Sequence, residues 1–296
     1  MMYTEKELAN MASFRVRQRF VSSMFRVLCM GAMWCCLIIL AFLLFSVLVR
    51  GLQHVDWSFL TGLISRDPEK AGIWVYLISS LWLILLTTLF SIPIGVGAAL
   101  YLEEYAADTR WKRLVQLNIA NLAGVPSIVY GLLGLGLFVW AAQLGRSILA
   151  GSLTLTLVIL PIVILASQEA LRAVPNSIRQ ASYALGATRW QTTWRQVLPA
   201  ATPGIMTGVI LSISRALGEA APLVAMGAVQ YMNYAPVSVN DSFTALPLAI
   251  FQWAGEAKRE FHELSAAAII VLLVVLISLN MIAAYVRHHF GKRVQW

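Results

Sequence analysis

Arg215 and Glu219 are the residues of this chain whose types and spacing most invite chemistry. They stand four apart inside an apolar run, residues 203–229, a spacing that puts both side chains on one face of a helix. A guanidinium is a planar fork suited to gripping a tetrahedral oxyanion with two bonds. A carboxylate beside it accepts a proton from an anion that carries one and repels an anion that carries none. The plain alternative is an ion pair that neutralises itself and only specifies helix packing. With Thr202 as the cap and Pro203 as the first helical residue, Arg215 lies about 18 Å along the helix, near the middle of a membrane. Placing a guanidinium there costs at least about 2.5 to 3.5 kcal/mol on insertion scales, so a functional reason is the default.

Ser127 is the third substrate-binding candidate. It follows Gly124-Val125-Pro126, where the missing proline amide disfavours a continuous helix, so this run should begin as an interfacial helix and then turn inward. Gly131, Gly134 and Gly136 come after the break; they permit close helix approach, or they line a binding wall. The other reactive types are scattered. His54, His262, His288 and His289 read as loop residues without ligand clustering, and Cys29, Cys35 and Cys36 sit in or beside the first apolar run as packing or lipid-facing residues. Glu103 and Glu104 read as solvated charges just inside the second run. No catalytic or metal-binding residue is expected, and no G-x-x-x-x-G-K-[ST] phosphate loop occurs, so this chain carries no ATPase of its own.

The elements that must position these residues are set by composition. Of 296 residues, 59% are hydrophobic and 12% charged, with mean hydropathy +0.74, a balance suited to lipid rather than water. Six apolar runs, 27–49, 73–102, 114–142, 148–166, 203–229 and 265–286, are each long enough to cross a hydrocarbon core of roughly 30 Å. Six spans put both termini on one side. On that assignment 15 of the 22 Lys and Arg residues fall in the arm 1–26, the segments 103–113 and 167–202 and the C-terminal tail. Six fall in the opposite loops and one, Arg215, inside a span. The bias makes both ends cytoplasmic and accounts for the basic charge without nucleic acid. Arg15, Arg17, Arg19 and Arg26 precede the first run, which is too long for a signal peptide and has no small-residue cleavage site, so it reads as a retained helix. The external segment 230–264 contains an apolar stretch, 243–253, too short to span. It either packs at the outer mouth or forms a lid or docking surface.

Between the fourth and fifth runs lies a cytoplasmic segment of more than thirty residues, longer than neighbouring helices need. Ser177-Ile178-Arg179-Gln180 and Thr188-Arg189-Trp190-Gln191 both read as capping boxes, so two short helices should meet at Gly186. The second should place Trp190, Trp194, Val197 and Leu198 on one face and stop at Pro199. An apolar aromatic face of this kind lies on a bilayer or docks into a groove of a soluble partner. Gln180-Ala181-Ser182, then Gly186, then Leu198-Pro199 after eleven more residues resembles the E-A-A…G…L-P loop of ATP-binding-cassette importer permeases. Gln180 stands for the usual Glu, Ser182 for Ala and Gln196 for an aliphatic residue. Residues 173–178, 184–188, 214–223 and 243–247 are similar to the phosphate-importer branch, the PstA-type permeases. The resemblance runs from about residue 73 to the C-terminus. Some members carry arginine where Leu165 stands, so that position has no anion role here.

The resemblance implies an all-α, type I importer permease of about six transmembrane helices in the bacterial inner membrane. It implies an arm 1–26, a permease domain 27–296 with its core at about 73–286, and a coupling segment at about 175–199. Gln180, Ala181, Gly186, Leu198 and Pro199 would couple to an ATPase. Expected partners are a paralogous permease (PstC-like), two ATP-binding subunits (PstB-like) that hold the ATP and magnesium, a periplasmic phosphate-binding protein (PstS-like) and membrane lipid. Phosphate import is the expected function. The rivals are import of another oxyanion, molybdate or sulfate, and, from other classes, a channel or a membrane-embedded enzyme, for which the long organised segment would have no purpose.

Overall fold

A computed structural model describes residues 5–228, 232 and 234–291, with the side chains of 5–17, 19–21, 290 and 291 left aside. Val229, Gln230, Lys292 and Arg293, and the side chains of Arg15, Arg17 and Arg19, therefore lie outside the described residues. In chain order the helices are α1 (Glu5–Gly51), α2 (Trp57–Thr61), α3 (Trp74–Leu100), α4 (Arg110–Ala123), α5 (Ser127–Gly134), α6 (Ile148–Arg172), α7 (Asn176–Ala184), α8 (Arg189–Thr192), α9 (Leu198–Gly218), α10 (Ala221–Met226), α11 (Leu246–Ala254) and α12 (Arg259–Gly291). Among the described residues the one β feature is an isolated antiparallel bridge between Ser147 and Ser242. Wide-turned π-helical stretches, Tyr101–Tyr105, Leu135–Ala141 and Thr193–Val197, extend α3 and α5 and join α8 to α9.

The chain divides into residues 1–50 and 51–296. The described residues of the first unit, 5–50, form a single long helix, and the stretch Ser22–His54 that begins in it has the length and hydropathy of a span. Its apolar side chains and its three free cysteines are exposed, a surface suited to lipid. In the second unit four more helical stretches qualify, Trp74–Tyr105, Ile148–Arg172, Arg189–Gly218 and Arg259–His289, and α4 with the α5 stretch forms a pair bent by 101° at Gly124–Pro126. Five spans, or six if the bent pair is one, match the sequence expectation of about six.

α6 packs between α3 and α9, and α12 packs on α9. Apolar side chains gain little by leaving lipid for one another, so such helices hold together by close packing, which small residues allow. A Cβ on Gly208 would run into Ala166, one on Gly134 into Thr154, and one on Gly131 into the Pro222 carbonyl and within 2.8 Å of the Ala225 side chain. Gly136 has open space instead, so of the three glycines after the break two serve close approach.

Several boundaries move. α6 continues to Arg172, with Ser167, Gln168 and Leu171 buried, so the connecting segment starts later than the hydropathy suggested. Ser177 forms no cap: α7 starts at Asn176 after Pro175, without a side-chain cap bond. Pro199 does not stop its helix, which runs from Arg189 to Gly218. The carbonyl that Pro199 would strike, four residues back at Arg195, lies in the wider Thr193–Val197 turn, which tolerates the missing amide. Thr202 is accordingly inside the helix, its hydroxyl donating to the Leu198 carbonyl at 2.7 Å. The external stretch 243–253 is largely buried. Phe243, Leu246, Leu248, Ala249 and Trp253 are inside, with Trp253 edge-on to Tyr76 at 5.7 Å, which favours packing over a docking surface. His262, His288 and His289 lie in α12 rather than in loops.

The glycine contacts give a direct test of this packing. Gly131→Ala should destabilise the purified protein by about 1 to 3 kcal/mol, the usual range for overpacking, whereas Gly136→Ala should stay within about 0.5 kcal/mol. Thermal unfolding in detergent reads both, and equal shifts would contradict the packing described.

Candidate functional site

Pro222 decides where the charged pair sits. It has no amide for the carbonyl four residues back, that of Gly218, and its ring collides with that carbonyl. α9 therefore ends at Gly218, Glu219 turns to extended backbone (φ −81°, ψ 113°), and α10 begins at Ala221. The expected uninterrupted helix through 203–229 is broken here. Arg215 occupies the last turn of α9, and its Nε donates to Glu219 Oε1 at 3.2 Å. The two side chains differ in surroundings, Arg215 being 51% exposed and Glu219 16%. The bond uses Nε alone, and the fork carries two further nitrogens able to donate to a second acceptor.

Glu219 leans inward. It lines a cavity of about 10 Å³ with Ser80, Leu155, Ala216, Ala245 and Pro247, room for roughly one water molecule. Ser80 Oγ is already engaged, accepting from the Leu246 amide at 2.8 Å. Segments 214–223 and 243–247, far apart in the chain, thus meet beside this carboxylate.

Ser127 is the first residue of α5, one turn before Gly131, which lies against Pro222 and Ala225 of α10. One turn on, Gly134 lies against Thr154, whose hydroxyl contacts Met226 Sδ at 3.2 Å. Ser127 is partly buried and does not line the Glu219 cavity, so the structure does not join it to the pair.

Polar bonds that local sequence patterns do not announce fix α9 to α12. Ser214 Oγ donates to Asn280 Oδ1 at 2.7 Å, and Arg287 Nη1 donates to Thr207 Oγ1 at 3.0 Å. The one available signal was Asn280, the lone amide in the last apolar run and the type of residue that bonds between membrane helices.

The segment 173–197 forms a hairpin. Gly186 takes φ +78° at its turn, Ser182 and Thr192 hydroxyls meet at 2.8 Å across it, and the Thr188 capping box forms, Gln191 Oε1 accepting from the Thr188 amide at 2.9 Å. Gln180, Ala181 and Gly186 are exposed, Leu198 is partly buried and Pro199 exposed. A groove of about 510 Å³ runs along Ile178, Ala181, Ser182, Leu185, Gly186 and Gln191, and Leu185 is 89% exposed. Trp190 and Trp194 lie 5.1 Å apart and are exposed, but Val197 is fully buried. The expected common face is split because the wide Thr193–Val197 turn rotates the residues at its end away from the two tryptophans.

Glu103 and Glu104 are not solvated. Glu104 Oε1 accepts from Arg179 Nη2 at 2.6 Å, and Glu103 Oε1 from Arg172 Nη2 at 2.7 Å. Nothing in local spacing announces bonds across 75 and 69 residues.

The family described as binding-protein-dependent transport system inner membrane component matches residues 91–295. The phosphate transport system permease protein PstA 1 of Mycobacterium tuberculosis (strain CDC 1551 / Oshkosh) is 34% identical over 264 residues, 87% of this chain and 85% of that protein. PstA of Mycobacterium leprae (strain TN) is 34% identical over 94% of this chain and 92% of its own. The probable ABC transporter permease protein YqgI of Bacillus subtilis (strain 168) is 37% identical over 64% of this chain and 66% of its own. In fold alone, the chain is similar to an inward-facing MetNI methionine ABC transporter (TM-score 0.60, 16% identity, 77% of this chain and 99% of that one). A bacterial ABC transporter for import of the acidic polysaccharide alginate gives TM-score 0.59 at 15% identity, covering 92% of this chain and 99% of that one.

The hairpin turn can be tested without any partner. A side chain at left-handed φ costs about 1 to 2 kcal/mol, and a Cβ on Gly186 meets nothing within 4 Å, so only the backbone is at issue. Gly186→Val should speed amide hydrogen exchange across residues 176–192, while Gly186→Asn should stay close to wild type. Native protection in the valine variant would show that the turn does not require glycine.

Proposed function

We infer, from the premise that this chain belongs to the family of binding-protein-dependent transport system inner membrane components, that it is a permease subunit importing inorganic phosphate across the bacterial inner membrane. The observation that carries the substrate-handling part of this reading is the Arg215–Glu219 pair, half exposed at a break in a membrane helix. The names of relatives 34% identical over most of their length support phosphate. Both termini face the cytoplasm, the arm 1–26 lies inside, and residues 27–296 form the permease domain.

Arg215 holds the anion through the nitrogens that Glu219 leaves unused. Phosphate at neutral pH keeps one or two protons, so it can donate one to Glu219, whereas sulfate keeps none and meets only repulsion. Between substrates the same carboxylate neutralises Arg215. Ser127, at the start of the helix packed on α10, contributes a hydroxyl and nearby backbone amides to the wall of the pathway.

Transport is driven from outside the chain. Gln180, Ala181 and Gly186 present the hairpin to an ATP-binding subunit, with Leu198 and Pro199 at its base, and the exposed Leu185 and the groove beside it are apolar enough to seat in such a partner. The assembly comprises this chain, a paralogous permease, two ATP-binding subunits that bind ATP with magnesium, and a periplasmic phosphate-binding protein. Closure and separation of the ATP-binding subunits alternate the opening of the pathway between the two sides.

Removing both charges together separates a site from a structural pair. Arg215→Met with Glu219→Gln should assemble and hydrolyse ATP, because no unpaired charge remains. Phosphate uptake into proteoliposomes should fall by about tenfold or more, the scale of losing a charge-assisted bond. Near-native uptake by the assembled double variant would refute the site.

Selectivity supplies a second test. Glu219→Gln alone should narrow the preference for phosphate over sulfate in competition assays, since an amide no longer repels the unprotonated anion. An unchanged ratio would remove Glu219 from the discrimination.

A further inference from the structure

Three consecutive residues, Glu103, Glu104 and Tyr105, close the wide-turned stretch that continues α3. Each meets a different arginine. Glu103 takes Arg172 at the end of α6, Glu104 takes Arg179 in α7, and the Arg189 guanidinium at the start of α8 lies over the Tyr105 ring, 5.6 Å from its centre. One short turn at the end of a membrane helix therefore holds both arms of the hairpin and its root.

The Glu104–Arg179 pair differs from the other ion pairs in burial and commitment. Glu104 is 6% exposed and Arg179 16%. Arg179 Nε and Nη2 both reach Glu104 Oε1, at 3.2 and 2.6 Å, while Nη2 also donates to the Leu171 carbonyl at 3.0 Å and Nη1 to the Val174 carbonyl at 2.8 Å. The guanidinium is thus locked in a plane between the end of α6 and the end of α3. Stability alone does not explain such a pair, because apolar side chains of similar volume usually serve a core as well or better. What a fork with four directed bonds adds is direction: apolar contacts can slide, whereas this one must carry displacement or break.

At the same end of the bundle Tyr105 Oη, Ser167 Oγ, Gln168 Nε2 and Thr193 Oγ1 are buried without a hydrogen-bond partner among the described residues. Two of the three wide-turned stretches, Tyr101–Tyr105 and Thr193–Val197, also lie here, and such turns often mark functional sites.

We propose that the Glu104–Arg179 pair is the positioning contact through which movement of the α7–α8 hairpin is passed to α3. This rests on the reading that the hairpin docks on an ATP-binding subunit. The partner's closure displaces α7, Arg179 draws Glu104 with it, and the continuous helical stretch Trp74–Tyr105 carries the motion to Ser80 and the Glu219 cavity at its other half.

The test uses the whole complex in proteoliposomes, with phosphate moved per ATP hydrolysed as the readout. Glu104→Leu with Arg179→Met removes both charges and keeps the volume apolar. It should assemble and hydrolyse ATP, but the ratio of phosphate to ATP should fall about tenfold, within the range common for coupling between sites. A merely structural pair would change yield or thermal stability and leave that ratio unmoved among assembled complexes, so a native ratio overturns the proposal. Should the double variant not assemble, Glu104→Gln, which keeps shape and removes the charge, is read the same way: a lowered ratio supports the proposal and a native one overturns it. Failure of the wild-type chain to bind an ATP-binding subunit would instead refute the underlying reading, and that outcome is seen before any variant is made.

Discussion

A backbone amide or carbonyl inside hydrocarbon must find its partner within its own helix or among neighbouring protein groups, because water is not there to replace it. Proline breaks that condition by removing a donor and pushing away the carbonyl four residues back. Pro93, Pro161 and Pro203 are carried inside α3, α6 and α9, whereas the regions proposed for function lie at three other prolines. Pro222 frees the Gly218 carbonyl and ends α9 beside Glu219. Pro126 lies at the 101° bend between α4 and α5. Pro199 is absorbed by the wide Thr193–Val197 turn at the root of the hairpin. Elsewhere the helices are long and apolar, and what they contribute is a frame against which these interruptions hold still.

The same ion-pair chemistry appears in three settings, and burial decides what each can do. Arg259 and Glu263 stand 3.8 Å apart with the arginine 90% exposed, a pair that solvent and salt reduce to a few tenths of a kcal/mol. Glu104–Arg179 is largely buried, 6% and 16% exposed, at the wall of a groove it shares with Glu103 and Arg172. Arg215–Glu219 is intermediate: the carboxylate is mostly buried and the guanidinium half exposed. An exposed guanidinium can trade one anion for another, and a buried pair held by several directed bonds can transmit displacement. Charge alone in the sequence does not distinguish these cases.

The helix frame was legible because hydropathy runs report it directly. The hairpin at 173–197 was legible at Gly186 and Thr188, where one residue type satisfies one local geometry. It was misread at Ser177, where Pro175 sets the helix start, and at Pro199, because a helix can widen to keep a proline. The i, i+4 spacing of Arg215 and Glu219 identified the pair but not the break beneath it, although Pro222 stood in view four residues after Gly218. Glu103 and Glu104 could not be read from local pattern at all, since their partners lie 69 and 75 residues away. Local rules find local bonds, and the contacts that join elements need the fold.

The geometry around Glu219 also constrains how an anion could arrive. The cavity on its inner side holds about 10 Å³, far too little for a tetrahedral oxyanion, and apart from Ser80, whose hydroxyl accepts from the Leu246 amide, its other walls are apolar side chains. An anion therefore cannot reach the pair through the core of this chain. Only the exposed side of Arg215 is open, and a half-exposed guanidinium facing lipid would carry the insertion penalty of roughly 2.5 to 3.5 kcal/mol. That face is consequently tolerable only if water or another protein surface covers it. In the proposed complex the paralogous permease supplies the opposite wall, so that the anion moves between two chains, with Glu219 bonded to Arg215 through Nε alone and the terminal nitrogens left for the anion.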